Sequence, residues 1–115
     1  MPKISHKDFS CILNMLESIK KIQDYSTKFN NADELFNDTK SFDAIIMNFI
    51  VIGEMVDKLS EELILETNPN IDWLKVKAFR NIAAHNYFGI DAEEVWQIIK
   101  GSMIELQNQL FLLIK

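Results

Sequence analysis

Apolar residues recur every three or four positions over most of this chain, the spacing of helices that bury one face. Phe9, Ile12, Leu13, Leu16, Ile19 and Ile22 form the first stripe and predict a helix from about Ser5 to Ser26. Ser5 stands at its cap, and Asp8 lies three residues on, where the acid of a capping box belongs. Lys20 and Lys21 load the carboxyl half, and Lys28 lies just beyond, where cations suit the helix dipole and face solvent. A brief helix is expected between Asn30 and Asn37, capped by Asn30 or Asn31, with Asn37-Asp38-Thr39 as a turn and a new cap.

The second long helix is predicted from about Lys40 to Glu66, with Ala44, Ile45, Phe49, Ile52, Val56, Leu59 and Leu63 on one face. Ile46, Met47 and Ile50 widen that face until the first half is apolar nearly all round. Such a segment must touch more than one neighbour: either it is the central helix, or part of it packs on another chain. Gly53 costs about 1 kcal/mol against Ala inside a helix. It implies close approach of a second helix, within the chain or across a dimer. Glu54 beside it faces either core or solvent.

Thr67-Asn68-Pro69-Asn70 turns the chain. Asp72 or Asn70 then caps a helix from Trp73 to about Ala84 or His85, with Leu74, Ala78, Phe79 and Ile82 on its buried side. Asn86 to Ile90 forms the next connection. Asp91 and Glu94 make a capping box for a last helix that runs to the end through Val95, Trp96, Ile99, Met103, Leu106, Leu110 and Phe111. The pattern predicts an all-α protein, an up-and-down bundle forming a single domain over residues 1–115.

Composition agrees. The chain has 115 residues, 48% hydrophobic and 25% charged, with only Gly53, Gly89, Gly101, Pro2 and Pro69 as helix breakers. No apolar run approaches the roughly 18 residues that span a bilayer. Neither a signal-peptide pattern nor a second cysteine accompanies Cys11. The expectation is a cytoplasmic protein without membrane contact. Cys11 itself reads as a buried apolar residue.

A net charge of −5 sits poorly with a broad nucleic-acid surface, which needs many phosphate contacts. A small basic locus remains: Lys75, Lys77 and Arg80 fall close together, with no acid between Lys75 and Ile90. Phosphate-cradling glycine loops and metal-ligand spacings of Cys and His are absent from the sequence, so neither a metal nor a cofactor is expected.

The chemistry concentrates in Phe79-Arg80-Asn81-Ile82-Ala83-Ala84-His85-Asn86-Tyr87-Phe88, which holds the only arginine and one of two histidines. Five helical residues turn through about 140° and rise about 7.5 Å. Arg80 is long enough to close that gap, so Arg80, His85 and Tyr87 could line one cleft. Arginine presents a permanently charged fork suited to phosphate, and histidine moves protons near neutral pH. Together they suit metal-free attack of an RNA 2′-hydroxyl on the adjacent phosphorus, with Arg80 stabilising the added negative charge. Asn81 could orient the phosphate or the histidine ring.

Arg80-Asn81-x3-His85-x-Tyr87 resembles the Arg-x4-His-x-Tyr signature of the HEPN superfamily, and the surrounding chain resembles its HepT-like branch. The supporting pieces are Ile52-Gly53-Glu54, Leu59-Ser60, Pro69-x-Ile71-x-Trp73, Phe88-Gly89-Ile90-Asp91 and Val95-Trp96, in order from about Ile46 to Ile99. Phe79 preceded by Ala78, and Asn86 inside the motif, are mild departures that leave the key positions intact. The resemblance implies a homodimeric bundle of four to five helices with the motif at the dimer cleft. It implies a metal-independent endoribonuclease, the toxin of a type VII-like toxin–antitoxin pair, with Arg80 and His85 catalytic. The implied partner is an MntA-like minimal nucleotidyltransferase that transfers AMP to Tyr87. The alternative is a non-catalytic HEPN module that presents substrate or nucleotide to such a partner.

Overall fold

A computed structural model describes residues 4–84 and 91–115. The described residues form α-helices joined by short turns, as the periodicity requires, with no strand among them. The elements are α1 (His6–Ser26), α2 (Ala32–Asn37), α3 (Thr39–Lys58), α4 (Glu61–Thr67), α5 (Trp73–Lys77), α6 (Phe79–Ala84), α7 (Ala92–Lys100) and α8 (Ser102–Ile114). Short polar side chains start most of them. Ser5, Asn31, Asp38, Ser60, Asp72 and Asp91 each accept a hydrogen bond from the backbone N–H three residues on.

Three predicted helices are each divided in two. The Lys40–Glu66 helix breaks at Leu59 and Ser60, where Leu59 is extended and Ser60 caps α4. What stabilises that break comes from far away: the Asp8 carboxylate accepts from Ser60 N at 2.8 Å and Ser60 Oγ at 2.6 Å. Asp8 thus departs from its expected capping-box role. Its backbone N–H does donate to Ser5 Oγ, but its side chain, 3% exposed, is spent on Ser60. The Trp73 helix turns at Ala78, and the last helix breaks at Gly101.

One hydrophobic cluster joins the pieces. Helix α3 lies against α1, α2, α5 and α6, which meets the need for several neighbours within the chain. Phe49 and Ile52 of α3 are fully buried, Ile46 and Ile50 are half-buried, and Met47 stays exposed. Cys11 is buried as expected.

The predicted faces need correction in three places. Phe9 and Leu13 of α1 are exposed, while Cys11, Met15 and Ser18 turn inward. Phe111 of α8 is exposed. Leu74, placed on the buried side of the third helix, is 82% exposed. The inward face of α5 is instead Trp73 and Val76, continued by Phe79. Trp73 is held there by its indole N–H, which donates to Thr67 Oγ1 at 2.8 Å. Two adjacent positions on a helix differ by about 100°, so fixing Trp73 inward turns Leu74 away.

Among the described residues, no helix is long and apolar enough to cross a membrane.

Candidate active site

The motif helix is seated by a glycine. A Cβ added at Gly53 would lie 2.7 Å from Arg80 Cβ, 2.9 Å from Arg80 N and 3.0 Å from Lys77 O. Any side chain there would collide with the backbone that carries Arg80. The close approach expected of Gly53 therefore occurs within the chain. Phe79 fixes the rotation of α6 about that contact: it is 2% exposed and packs on Phe49 with ring centroids 5.4 Å apart. With Phe79 held in the core, Arg80 emerges beside α3 and Asn81 faces solvent.

One turn beyond Gly53, on the same side of α3, stands Asp57. Its two carboxylate oxygens take one cation each: Lys77 Nζ at 2.8 Å on Oδ1, and Arg80 Nη1 at 3.2 Å on Oδ2. All three side chains are roughly two-fifths exposed. The hydrogen bond from Lys77, with the Lys77 and Arg80 charges behind it, holds the Asp57 carboxyl below the usual carboxylate range despite some desolvation. The basic locus therefore differs from the one read along the chain. An acid absent from Lys75–Ile90 is folded against it from α3, while Lys75 points elsewhere. Lys75 lines a cleft of about 170 Å³ together with Phe79, Ser102, Glu105 and Gln109.

Of the predicted site residues, Arg80 and Asn81 lie side by side on α6. His85 and Tyr87 lie outside the described residues, as does Phe88-Gly89-Ile90. Glu54 is exposed, which answers whether it faces core or solvent. Among the described residues, no group of three or more His, Cys, Asp and Glu side chains could hold a metal ion.

Asp57 is the site residue that reading the sequence missed. The usable signal was Gly53 itself: if it admits the motif helix, the residue four positions on shares its face and meets the same helix.

The arrangement can do two things chemically. It presents a part-exposed guanidinium that, among the described residues, pairs with Asp57 through Nη1, and the three charges leave one net positive charge, enough to favour a single phosphate.

Comparison with known proteins gives this geometry its context. A family model described as Ribonuclease HepT-like matches residues 15–111. A Methanocaldococcus jannaschii protein provisionally named an RNase is 34% identical over 99 residues, covering 86% of this chain and 78% of that protein. Another from that organism, whose name joins a gamma-glutamylcyclotransferase to a provisional RNase, is 32% identical over 105 residues. That match covers 90% of this chain and 46% of the longer protein. A provisionally named ribonuclease HepT of Thermococcus cleftensis is 27% identical over 107 residues, covering 93% of this chain and 94% of its own. No solved structure is a significant match. With a family model spanning most of its length and the motif arginine seated on a glycine of its central helix, this chain belongs to the HepT-like ribonuclease family of the HEPN superfamily.

Proposed function

We propose that this chain is a metal-independent endoribonuclease whose catalytic pair is Arg80 and His85. The observation that carries the reading is the seating of Arg80: a solvent-facing guanidinium fixed to the core helix, inside a sequence matched to the HepT-like family from residue 15 to 111. His85 takes the proton of a 2′-hydroxyl, whose oxygen attacks the adjacent phosphorus. Arg80 stabilises the charge that gathers on the phosphoryl oxygens. The 5′-oxygen leaves with a proton, and the fragments end in a 2′,3′-cyclic phosphate and a 5′-hydroxyl. Asn81, exposed beside Arg80, positions the RNA backbone together with Tyr87.

The whole chain acts as one HepT-like domain in the cytoplasm. Two copies form the working unit, with their motifs facing a shared groove. It is the toxin of a toxin–antitoxin pair, restrained by an MntA-like nucleotidyltransferase. The Tyr87 hydroxyl attacks the α-phosphorus of ATP, pyrophosphate leaves, and AMP remains on the ring. The bulk and negative charge added to the motif then exclude RNA.

The test is cleavage of RNA by purified protein in EDTA, with end-group analysis. Wild type cuts and leaves cyclic phosphate ends, whereas Arg80→Ala and His85→Ala do not cut although they fold. Normal cleavage by His85→Ala would remove His85 from the mechanism, and cleavage of an all-deoxy strand would exclude 2′-hydroxyl attack. A wild-type protein that binds RNA or nucleotide without cutting either would favour the non-catalytic presenting module.

A further inference from the structure

We propose that Asp57 is a positioning residue for Arg80, with Lys77 as the counter-ion that lets it act without neutralising the arginine. The inference rests on the ribonuclease reading above and deepens it.

The Asp57 carboxylate is divided between two cations. Asp57 gives one oxygen to each cation, and the shorter contact, 2.8 Å, goes to Lys77, against 3.2 Å to Arg80. The negative charge is thus directed chiefly at the lysine. Among the described residues the arginine is engaged by Asp57 through Nη1, which leaves the other donors of its fork turned away from that carboxylate and available to a phosphate. An arginine left without such an anchor samples many rotamers, and ordering it must then be done at the expense of substrate binding or of rate. Here its backbone is already fixed by Gly53 and by buried Phe79, so a single anchor at the guanidinium immobilises the whole side chain.

Stability does not account for the arrangement. The three groups are substantially exposed, and ion pairs in that setting contribute little to folding. A competing role, in which Asp57 occludes Arg80 and so restrains activity, would have the carboxylate grip the fork with both oxygens, whereas it reaches Arg80 through one oxygen at 3.2 Å. Positioning and occlusion predict opposite signs when the carboxylate is removed, so one variant separates them.

The experiment uses the full chain in two arms. In steady-state cleavage, Asp57→Ala is expected to lower kcat by roughly 10- to 100-fold, while KM stays within about twofold and the melting temperature moves by no more than about 2 °C. Asp57→Glu should recover much of the loss. An unchanged or raised kcat, or a rise in KM alone, overturns the proposal. The second arm needs no activity. Arg80 is the only arginine in the chain, so its side-chain N–H signals in NMR are unambiguous. Restricted motion of the guanidinium in wild type, released in Asp57→Ala, supports positioning, and identical motion in the two proteins overturns it. A wild type that fails to cut RNA would sink the ribonuclease reading, while this second arm would still decide whether Asp57 holds Arg80.

Discussion

Two aspartates fasten this molecule across long stretches of sequence, and they do it in opposite ways. Asp8 is 3% exposed and accepts from two neutral donors of Ser60, 52 residues away. Asp57 is 42% exposed on its side chain and meets two cations, Lys77 and Arg80, the latter 23 residues away. A buried carboxylate with fully matched donors is committed: its hydrogen bonds cannot be exchanged for water without breaking the fold. A half-exposed one among cations is negotiable, because phosphate, water or salt can replace its partners. The first belongs to the scaffold that bends α3 into α4, and the second belongs to the exposed surface around the motif arginine.

That contrast can be broken by experiment. The largest expected effect is on Arg80, the group Asp57 holds. Arg80→Ala should lower RNA cleavage by on the order of 10²- to 10³-fold, as removal of one charge-stabilising donor does, with little change in melting temperature. A comparable loss of stability would mean that Arg80 is scaffold and that the two regions do not differ in kind.

Asp8→Ala should do the reverse. It leaves the half-buried backbone N–H and hydroxyl of Ser60 without their carboxylate acceptor, a cost of about 2 kcal/mol in denaturant unfolding. Cleavage per folded molecule should be unchanged. Asp8→Asn, which keeps an acceptor, should recover part of the loss.

Gly53→Ala probes the contact beneath Arg80. The added methyl gains about 1 kcal/mol in helix propensity but meets Arg80 at 2.7 and 2.9 Å, close to backbone that cannot yield cheaply. Overpacking of this kind typically costs about 1–3 kcal/mol, so net destabilisation of about 1 kcal/mol is expected, with a clear drop in activity as α6 shifts. A stabilised, fully active Gly53→Ala would show that α6 has room to spare.

The smallest effect is the response to acid. Lys77 first, and Arg80 after it, hold the Asp57 pKa below its value in the unfolded chain. Its contribution to stability is therefore complete above about pH 4 and is lost as the pH falls through the lower, folded value. Solvent screening keeps that contribution to a few tenths of a kcal/mol. Asp38, lowered by the Ser41 backbone N–H, titrates in the same direction and must be subtracted. The check is the difference between wild type and Asp57→Ala in unfolding free energy at pH 5 and pH 3: the two should converge toward the lower pH.

Much of the scaffold was legible because its signals are local. A cap and its N–H lie three residues apart: Ser5 and Asp91 stand out by that spacing, Asn31 and Asp72 are each one of two neighbouring candidates, and Asp38 falls within the expected Asn37-Asp38-Thr39 turn. The break at Ser60 was missed because Asp8, its principal partner, is 52 residues away. Leu74 was misplaced because periodicity allows more than one choice of face over five residues, and the Trp73–Thr67 hydrogen bond makes the choice. In the site, the motif Arg-x4-His-x-Tyr was plain to see, yet its electrostatics were not. The basic locus looked free of acids along the chain, and α3 supplies one from 23 residues before Arg80.

By itself, then, the sequence determined the all-helical class, most helix starts, the need for close packing at Gly53 and the family to which the motif belongs. These rest on the helical period, on three-residue capping distances and on a contiguous signature, all of them properties of neighbouring residues. Only the tertiary structure decided that Gly53 opens onto Arg80, that Lys75 parts from Lys77, and that Asp57 stands between Lys77 and the arginine. Those are facts of which helix lies against which, and no local spacing encodes the distance between side chains that the fold alone brings together.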